Sequence, residues 1–240
     1  PNINRKQVQD NNHMITIILA ESSLELIPEN MRNHPSVTSY SKKFKKDPQN
    51  TLLDNSWHFG AMKGIENEIK RGRPDLIHLT LLSICTTPAF HQSKICLYVH
   101  TINDKVISFS NNIRLPKSYH RFQGLMEQLF VEKKIRTSED GQSLITMEDS
   151  TISQLISKIA PAHIIGLTTK GQIMTSYEQL AKKITEDTCV IIGGFQKGHF
   201  GKEIEDIIDL EKSFTIGRSS LEAHIVASRL VYEYEKTIFI

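Results

Sequence analysis

The stretch CVIIGGFQKG, residues 189–198, runs from a short apolar segment directly into a glycine-rich turn. The apolar segment is rich in β-branched residues, which predicts a buried strand that ends near Ile192. In parallel sheets, ligands bind in the crevice beyond the carboxyl ends of the strands. The glycines after this strand allow the backbone to approach a ligand closely, so the turn is a candidate pocket.

A second turn of the same kind occupies residues 216–221 and leads straight into the last predicted helix. Neither turn matches the dinucleotide-binding motif GxGxxG, because Phe195 occupies a position that needs glycine. Neither matches the triphosphate motif GxxxxGK followed by Ser or Thr, because His199 follows Gly198. The two turns alone therefore predict only a possible pocket, and an ordinary strand-to-helix connection is the simpler alternative.

Strand and helix patterns alternate through the second half of the chain, which predicts an α/β fold. The apolar spacing indicates helices over 152–159, 177–184 and 221–234, and strands over 163–167 and 189–192. Such alternation implies a mostly parallel sheet with helices on both faces. In the first half, the same reasoning predicts a strand at 14–19, a hairpin at 94–109, and helices at 56–70, 75–85 and 118–132.

Residues 28–50 contain three prolines and a basic run whose members are Lys42, Lys43, Lys45 and Lys46. Prolines at this density predict a loop-rich, basic insertion. The lysines are as consistent with a solvated surface as with contact to RNA.

Composition places the 240-residue chain among globular proteins, with 39% hydrophobic and 23% charged residues. We expect a loose polar tail over residues 1–13 and a single domain over 14–240. The apolar run 14–20 is too short to span a membrane and lacks a signal-peptide cleavage region, so we expect a soluble, cytoplasmic protein.

The cysteines Cys85, Cys96 and Cys189 are an odd number, far apart, and each lies inside an apolar run. This arrangement favours reduced packing residues over a disulfide framework. The ten histidines show no HExxH or paired CxxC context, so we expect no metal site.

The charge distribution is uneven, because no acidic residue occurs between Asp104 and Glu127. Arg114, Lys117 and Arg121 fall within this acid-free stretch, although the whole chain has a net charge of only +2. On its own, a stretch of this kind is most often a solvated basic face.

Three stretches taken together resemble the pseudouridine N1-methyltransferases of ribosome biogenesis, which belong to the SPOUT class with its α/β-knot. They are RGRPDLIHLTLL at 71–82, IRLPKSYHRFQGLMEQL at 113–129, and CVIIGGFQKG at 189–198. The likeness covers residues 14–240, and the compact length is similar to that of archaeal members. The resemblance implies a homodimer whose chain forms a deep knot. It also implies methyl transfer from S-adenosylmethionine to N1 of a pseudouridine in small-subunit ribosomal RNA.

The resemblance also assigns a cofactor site to three late turns. Its implied residues are Leu167, Thr168, Gly193, Gly194, Gly198, Ile216, Gly217, Arg218, Ser219, Ser220 and Leu221. Backbone groups in such turns can form hydrogen bonds with an adenine edge.

Five positions match the family's RNA-binding residues, namely Arg73, Asp75, Arg114, Lys117 and Arg121. The resemblance implies that the Asp75 carboxylate holds Arg73 in place. Lys117 stands where the family usually has arginine, which keeps the charge but loses the bidentate fork. With the resemblance, the acid-free stretch is interpreted as a surface that binds RNA phosphates.

One position departs from the family pattern. Thr86 stands where an aspartate is usual, and threonine cannot act as a base near neutral pH. The catalytic base is therefore unassigned: Asp75, water, or no fixed carboxylate remain open. The competing functional hypotheses are a non-catalytic RNA-binding assembly factor and a methyltransferase for a different base.

Two further groups lie in the helix that follows the basic stretch. Tyr119 and His120 are equally consistent with stacking on an extruded nucleotide and with surface packing. Phe122, Met126 and Leu129 have helical spacing and are interpreted as core.

Overall fold

The computed structural model describes residues 14–137, 141–208, 210–217 and 220–239. The predicted tail, residues 1–13, and the predicted cofactor residues Arg218 and Ser219 lie outside these ranges.

The described residues form one eight-stranded sheet with the order β4-β5-β3-β2-β1-β7-β6-β8. The strands are β1 Ile15–Ser22, β2 Ile95–Thr101, β3 Lys105–Phe109, β4 Lys134–Arg136, β5 Ser143–Asp149, β6 His163–Met174, β7 Thr188–Gly193 and β8 Ser213–Ile216. Strands β2, β1, β7, β6 and β8 are parallel, whereas β3, β5 and β4 extend the sheet in antiparallel fashion. The predicted parallel sheet is therefore confirmed, with an antiparallel extension at one side.

The helices of the described ranges are α1 Pro35–Phe44, α2 Asn55–Met62, α3 Pro74–Cys85, α4 Pro88–His91, α5 Tyr119–Glu132, α6 Ile152–Ile159, α7 Tyr177–Ala181, α8 Lys202–Ile207 and α9 Ala223–Phe239. Short 3-10 helices cover Glu29–Met31, Pro48–Asn50, Glu68–Lys70 and Leu210–Lys212. None of the helices in these ranges has the length and apolar character needed to cross a membrane.

Helices cover both faces of the sheet, and β1 shows how. Ile17 and Leu19 belong to the apolar core that includes residues of α3, α5 and α9. The intervening Ile18 and Ala20 belong to the core that includes residues of α6 and α8. Because successive strand side chains point to opposite faces, a continuous apolar run such as β1 is buried on both sides.

The insertion at 28–50 is helical in its centre, so the loop-rich prediction is wrong there. Pro35 occupies the first turn of α1, where proline disturbs no hydrogen bond, and the His34 side chain accepts a hydrogen bond from Ser36 N at 3.2 Å. Val37 and Tyr40 bury one side of the helix. Pro48 likewise begins a 3-10 helix. The prolines mark where helices start and do not indicate a continuous loop.

The predicted helix over 56–70 is too long, because α2 ends at Met62. Gly64 and Asn67 adopt left-handed backbone conformations, with φ of 79° and 55°. An α-helix cannot pass through such residues. The other predicted strands and helices are confirmed, with ends that shift by several residues in places.

A buried polar network joins the loop after β1 to the segment before α3. The Glu25 carboxylate is 2% exposed and accepts two hydrogen bonds of 2.7 Å from Arg71. Asn103 Nδ2 donates a third hydrogen bond to Glu25 at 2.8 Å. Because both charges are largely removed from water, neither residue is stable there without the other.

We predict that Glu25→Ala lowers the free energy of unfolding by about 3–5 kcal/mol, because it leaves Arg71 charged and uncompensated. Chemical denaturation measures the loss. As a matched control, Glu178→Ala removes an exposed ion pair with Lys182 and should leave the denaturation midpoint nearly unchanged. Equal stability of Glu25→Ala and Glu178→Ala would contradict the prediction.

Candidate active site

A pocket lies at the ends of the paired segments of β6, β7 and β8. The turns that follow these segments form its walls. Leu167 is the last residue of β6 that pairs with β7, opposite Ile192, and the register of β6 with β8 shifts immediately after it. The predicted cofactor residues that line the pocket are Leu167, Thr168, Gly193, Gly198, Ile216, Ser220 and Leu221. The structure therefore brings all three predicted turns to one place.

Two of the predicted cofactor residues do not line this pocket. Gly194 instead packs against β1, where its N–H donates to Ala20 O and its carbonyl accepts from Ser23 N, both at 2.8 Å. A Cβ at Gly194 would lie 2.1 Å from Ser22 Oγ, so this glycine is required by strand packing. Gly217 is also absent from the lining.

Aromatic side chains complete the pocket wall, and the sequence reasoning missed them. Phe195 turns back over the strand end, so that a Cβ on Gly193 would lie 2.9 Å from the phenyl ring. Tyr177, at the start of α7, also lines the pocket. These two aromatic residues belong to no ligand-binding motif in the sequence. Only their positions beside the predicted turns could have indicated a role in the pocket.

The pocket is tied to the turn that carries Arg73 through the end of β1. Glu21 accepts a hydrogen bond from Gly201 N at 2.8 Å and forms an ion pair with Lys70 at 2.7 Å. The Lys70 ammonium lies 4.8 Å from the ring centroid of Phe195, a pocket residue. Arg73 N donates to Ser23 Oγ at 2.7 Å. The end of β1 therefore contacts both the late turns and Arg73, which matches an RNA-binding position of the family.

Arg73 and Asp75 form a bidentate ion pair, as the resemblance implies. Arg73 Nε donates to Asp75 Oδ1 and Nη2 donates to Oδ2, both at 2.8 Å. Burial is the largest single influence on Asp75 and raises its pKa, but the hydrogen bonds from Arg73, the charge of Arg73 and two backbone hydrogen bonds together outweigh it and lower that pKa. The hydrogen bonds between the two side chains raise the pKa of Arg73. A carboxylate with a lowered pKa is a weak base near neutral pH.

The acid-free stretch runs along α3, from its end to its start. His91, which follows α3 in the chain, has its Nδ1 3.2 Å from Asn111 O. His78, in the second turn of α3, has its Nε2 2.7 Å from Pro116 O. The stretch then reaches α5, where burial and Asp54 raise the pKa of Tyr119 and the charge of Asp75 adds a smaller increase. The exposed side chains of Arg114, Lys117 and Arg121 are thereby distributed along this path. We call these three residues the basic line.

Thr86 lies at the opposite end of α3 from Asp75. They are eleven positions apart in sequence, which corresponds to about 16 Å along the helix axis. Thr86 lines a hollow with Arg114 and Lys117, and its hydroxyl donates to Leu82 O at 2.7 Å. Thr86 and Asp75 of one chain therefore cannot act on the same atom.

Tyr119 is a packing residue, in contrast to its neighbour His120, which is exposed. The Tyr119 hydroxyl donates to Asp54 Oδ2 at 2.5 Å, and Asp54 is only 4% exposed. Burial, together with this hydrogen bond to a carboxylate, raises the pKa of Tyr119. Of the two open interpretations for Tyr119, the structure favours packing.

Cys85 and Cys189 are buried packing residues, whereas Cys96 is partly exposed. Burial raises the pKa of Cys85 and of Cys189 to about 12, so both thiols are protonated and unreactive near neutral pH. Within the described ranges, no cluster of three or more His, Cys, Asp or Glu residues is arranged to hold a metal ion.

Comparison with known proteins identifies the family. Residues 17–235 match the sequence model of the EMG1/NEP1 methyltransferases. The chain belongs to this family. A relative from Pyrococcus furiosus, named ribosomal RNA small subunit methyltransferase Nep1, is 35% identical over 221 residues, which cover 91% of this chain and 95% of the relative. A relative of the same name from Saccharolobus solfataricus is 38% identical over 216 residues, covering 90% and 94%.

The EMG1/NEP1 fold is also seen in a solved structure. The crystal structure of Archaeoglobus fulgidus Nep1 bound to S-adenosylhomocysteine superposes with a TM-score of 0.80 at 34% identity, covering 93% of this chain and 98% of that one. The resemblance stated from the three motifs, and the fold class that it implied, are thus confirmed. The knotted path of the C-terminal segment stays a prediction.

We predict that Tyr119→Phe lowers the free energy of unfolding by about 1–3 kcal/mol, because Asp54 Oδ2 is left buried without that donor. His120→Ala, one residue further and exposed, should change stability little. Chemical denaturation of both variants measures the difference. Equal stabilities for the two variants would show that Tyr119 is not held by Asp54.

Proposed function

We propose that residues 14–240 form one domain that transfers a methyl group from S-adenosylmethionine to N1 of a pseudouridine in small-subunit ribosomal RNA. The observation that carries this proposal is the shared anchor at the end of β1. Glu21 and Ser23 hold the pocket turns and the Arg73 turn side by side. A methyl donor in the pocket and an RNA base held by Arg73 would therefore meet at one edge of the sheet.

The pocket residues fit an adenosyl group. Gly193 lacks a Cβ where any side chain would fill the space beside Phe195, and Gly198 has a φ of 114° that L-residues rarely adopt. Apolar side chains of Leu167, Ile192 and Ile216 provide a lining against which an adenine ring can pack. When bound, S-adenosylmethionine supplies a methyl group that is already activated by its sulfonium.

The basic line supports RNA as the substrate. Arg114, Lys117 and Arg121 are exposed, and none of them forms an ion pair with an acid in the part of the chain that the structure describes. Unneutralised cations in a row bind phosphates by counterion release, which gives affinity independent of sequence. Arg73 contributes the positioned contact nearest the pocket.

Proton removal from N1 is assigned to water. Asp75 is held by Arg73 with its pKa lowered, and Thr86 is a neutral hydroxyl at the other end of α3. The role of Asp75 is then to orient Arg73, while the pocket and Arg73 position the two reactants. The departure at Thr86 thus removes no group that this mechanism requires.

Homodimerisation is also part of the proposal. Leu79 on α3 and Tyr232 and Phe239 on α9 are large apolar residues that remain exposed in the single chain. The two helices pack against each other. Exposed apolar side chains of this size are typical of a surface that a second subunit covers.

The test is methyl transfer to two RNA hairpins that differ only in the target base. With labelled S-adenosylmethionine, we expect label in the hairpin with pseudouridine and none in the hairpin with uridine, which lacks a free N1–H. Label in both hairpins would indicate a different target base. Binding of cofactor and RNA without any transfer would instead favour a non-catalytic assembly factor, the hypothesis that Thr86 raises.

We predict that Gly193→Val lowers the affinity for S-adenosylmethionine at least about tenfold, because the added side chain displaces Phe195 and fills the pocket floor. The fold should persist, since the atoms met are the end of a flexible side chain. Calorimetric titration measures the loss. Gly124→Val is the matched control, because a Cβ there meets nothing within 4 Å. Undiminished affinity in folded Gly193→Val would refute the cofactor placement.

We predict that Arg114→Ala weakens binding to the hairpin and reduces the slope of log affinity against log salt by about one unit, without changing cofactor affinity. Arg136→Ala removes an exposed arginine from edge strand β4, away from the basic line, and serves as the control. Fluorescence anisotropy at several salt concentrations gives both slopes. An equal slope for wild type and Arg114→Ala would count against the basic line.

A further inference from the structure

A second surface combines exposed aromatic rings with cations, outside the site described above. Phe44 ends α1 and Trp57 lies in the first turn of α2, with ring centroids 5.3 Å apart at 77°. Their exposed fractions are 38% and 44%. The Lys43 ammonium lies 5.2 Å from the Phe44 ring and 4.8 Å from the Trp57 ring. We call Lys43, Phe44 and Trp57 the aromatic–lysine patch.

The rings of the patch rest on a fixed support. Tyr40 is 5% exposed, and its ring lies 4.6 Å from Phe44 and 5.4 Å from Trp57. Gln123 Nε2 donates to the Tyr40 hydroxyl at 3.3 Å, which attaches the support to α5. The two exposed rings are therefore held in place on their inner side while their outer surfaces face water. Rings positioned in this way can stack on a planar ligand with little loss of side-chain entropy.

The charge around the patch is positive and uncompensated. Lys42, Lys43 and Lys45 are exposed, and among the described residues no acid lies within 4.0 Å of their ammonium groups. Lys46 differs, because it forms an ion pair with Glu127 at 2.7 Å. The nearest acid in sequence, Asp47, uses its carboxylate to accept a hydrogen bond from Gln49 N. The three free cations favour a polyanion as the ligand.

The helices that carry the patch are attached to α5, the helix that carries one end of the basic line. Glu127 of α5 binds Lys46 and accepts a hydrogen bond from Leu52 N at 3.2 Å. At the first turn of α5, Tyr119 binds Asp54, the N-cap of α2. The patch is therefore fastened along α5, whose first turn also carries Arg121. Because α5 has 14 residues, it is about 21 Å long. A short RNA segment therefore suffices to reach from the basic line to the aromatic–lysine patch.

We infer that the aromatic–lysine patch binds an unpaired RNA segment that flanks the substrate hairpin, with bases stacked on Phe44 and Trp57 and phosphates bound by the lysines. This inference rests on the proposed function, which makes RNA the substrate. Aromatic rings beside uncompensated cations are the usual surface for single-stranded nucleic acid, because every base has a face that stacks and every nucleotide a phosphate. The patch supplies affinity and carries no methyl-transfer chemistry.

The test compares two RNAs by fluorescence anisotropy, the minimal pseudouridine hairpin and the same hairpin with a single-stranded extension of about eight nucleotides, placed on either side. We expect wild type to bind an extended hairpin about tenfold more tightly than the minimal one. Trp57→Ala and Phe44→Ala should abolish this gain and leave affinity for the minimal hairpin unchanged. Phe59→Ala is the matched control, since Phe59 is an exposed aromatic of α2, two residues after Trp57, and the ammonium of its own lysine, Lys63, lies 5.9 Å from its ring. It should keep the gain.

A charge variant keeps the inference testable if the aromatic variants unfold. Replacement of Lys42, Lys43 and Lys45 by Gln should reduce the salt slope for the extended hairpin by about two units and leave the slope for the minimal hairpin unchanged. No gain from either extension in wild type would overturn the inference and leave the patch to an acidic protein partner. Equal losses on both RNAs would overturn it too, by placing the patch in the hairpin site. Because binding is measured without methyl transfer, failure of the proposed reaction would be seen separately.

Discussion

The close approach of Gly194 to Ser22 determines where the two halves of the site lie. Parallel pairing of β1 with β7 continues past the strands, because Gly194 N bonds Ala20 O and Ser23 N bonds Gly194 O. A Cβ at position 194 would meet Ser22 Cα at 2.8 Å, so any other residue there would force the two chains apart. With the chains in contact, the turn after β7 and the turn before α3 are held on the same few residues. The role of Gly194 is therefore structural, although the pocket depends on it.

The end of β1 carries the strain that this arrangement creates. Glu21 adopts a left-handed backbone with φ of 48°, which is unusual for a residue other than glycine and costs on the order of 1 kcal/mol or more. Its carboxylate offsets that cost, because one oxygen binds Gly201 N and the other binds Lys70. Both partners come from segments beside the pocket. The contacts that compensate the strain are thus the same contacts that position the pocket turns.

Features defined by local pattern were predictable from sequence, whereas features that depend on a distant partner were not. Pro74 at a first-turn position and the apolar density after it predicted α3 to within a residue. The segment after Met62 has the apolar spacing of a helix, but the positive φ angles of Gly64 and Asn67 cannot be inferred from that spacing. Strands β4 and β5 lie at the edge of the sheet with mixed burial, so their sequences give a weak signal. The strand-packing role of Gly194 required knowledge of Ser22, its neighbour across the sheet.

The ion pair of Arg73 and Asp75 explains how a guanidinium can lie beside a site for a cationic methyl donor. Asp75 neutralises part of its charge and engages Nε and Nη2, so the guanidinium is held in one orientation. Among the described residues, no hydrogen bond engages Nη1, and a guanidinium has five N–H donors in all. The remaining donors are therefore presented to a ligand in a fixed direction. Asp75 thus orients the guanidinium and also reduces its positive electrostatic field. In a site that relies on positioning its reactants, the aspartate can therefore contribute without acting as a base.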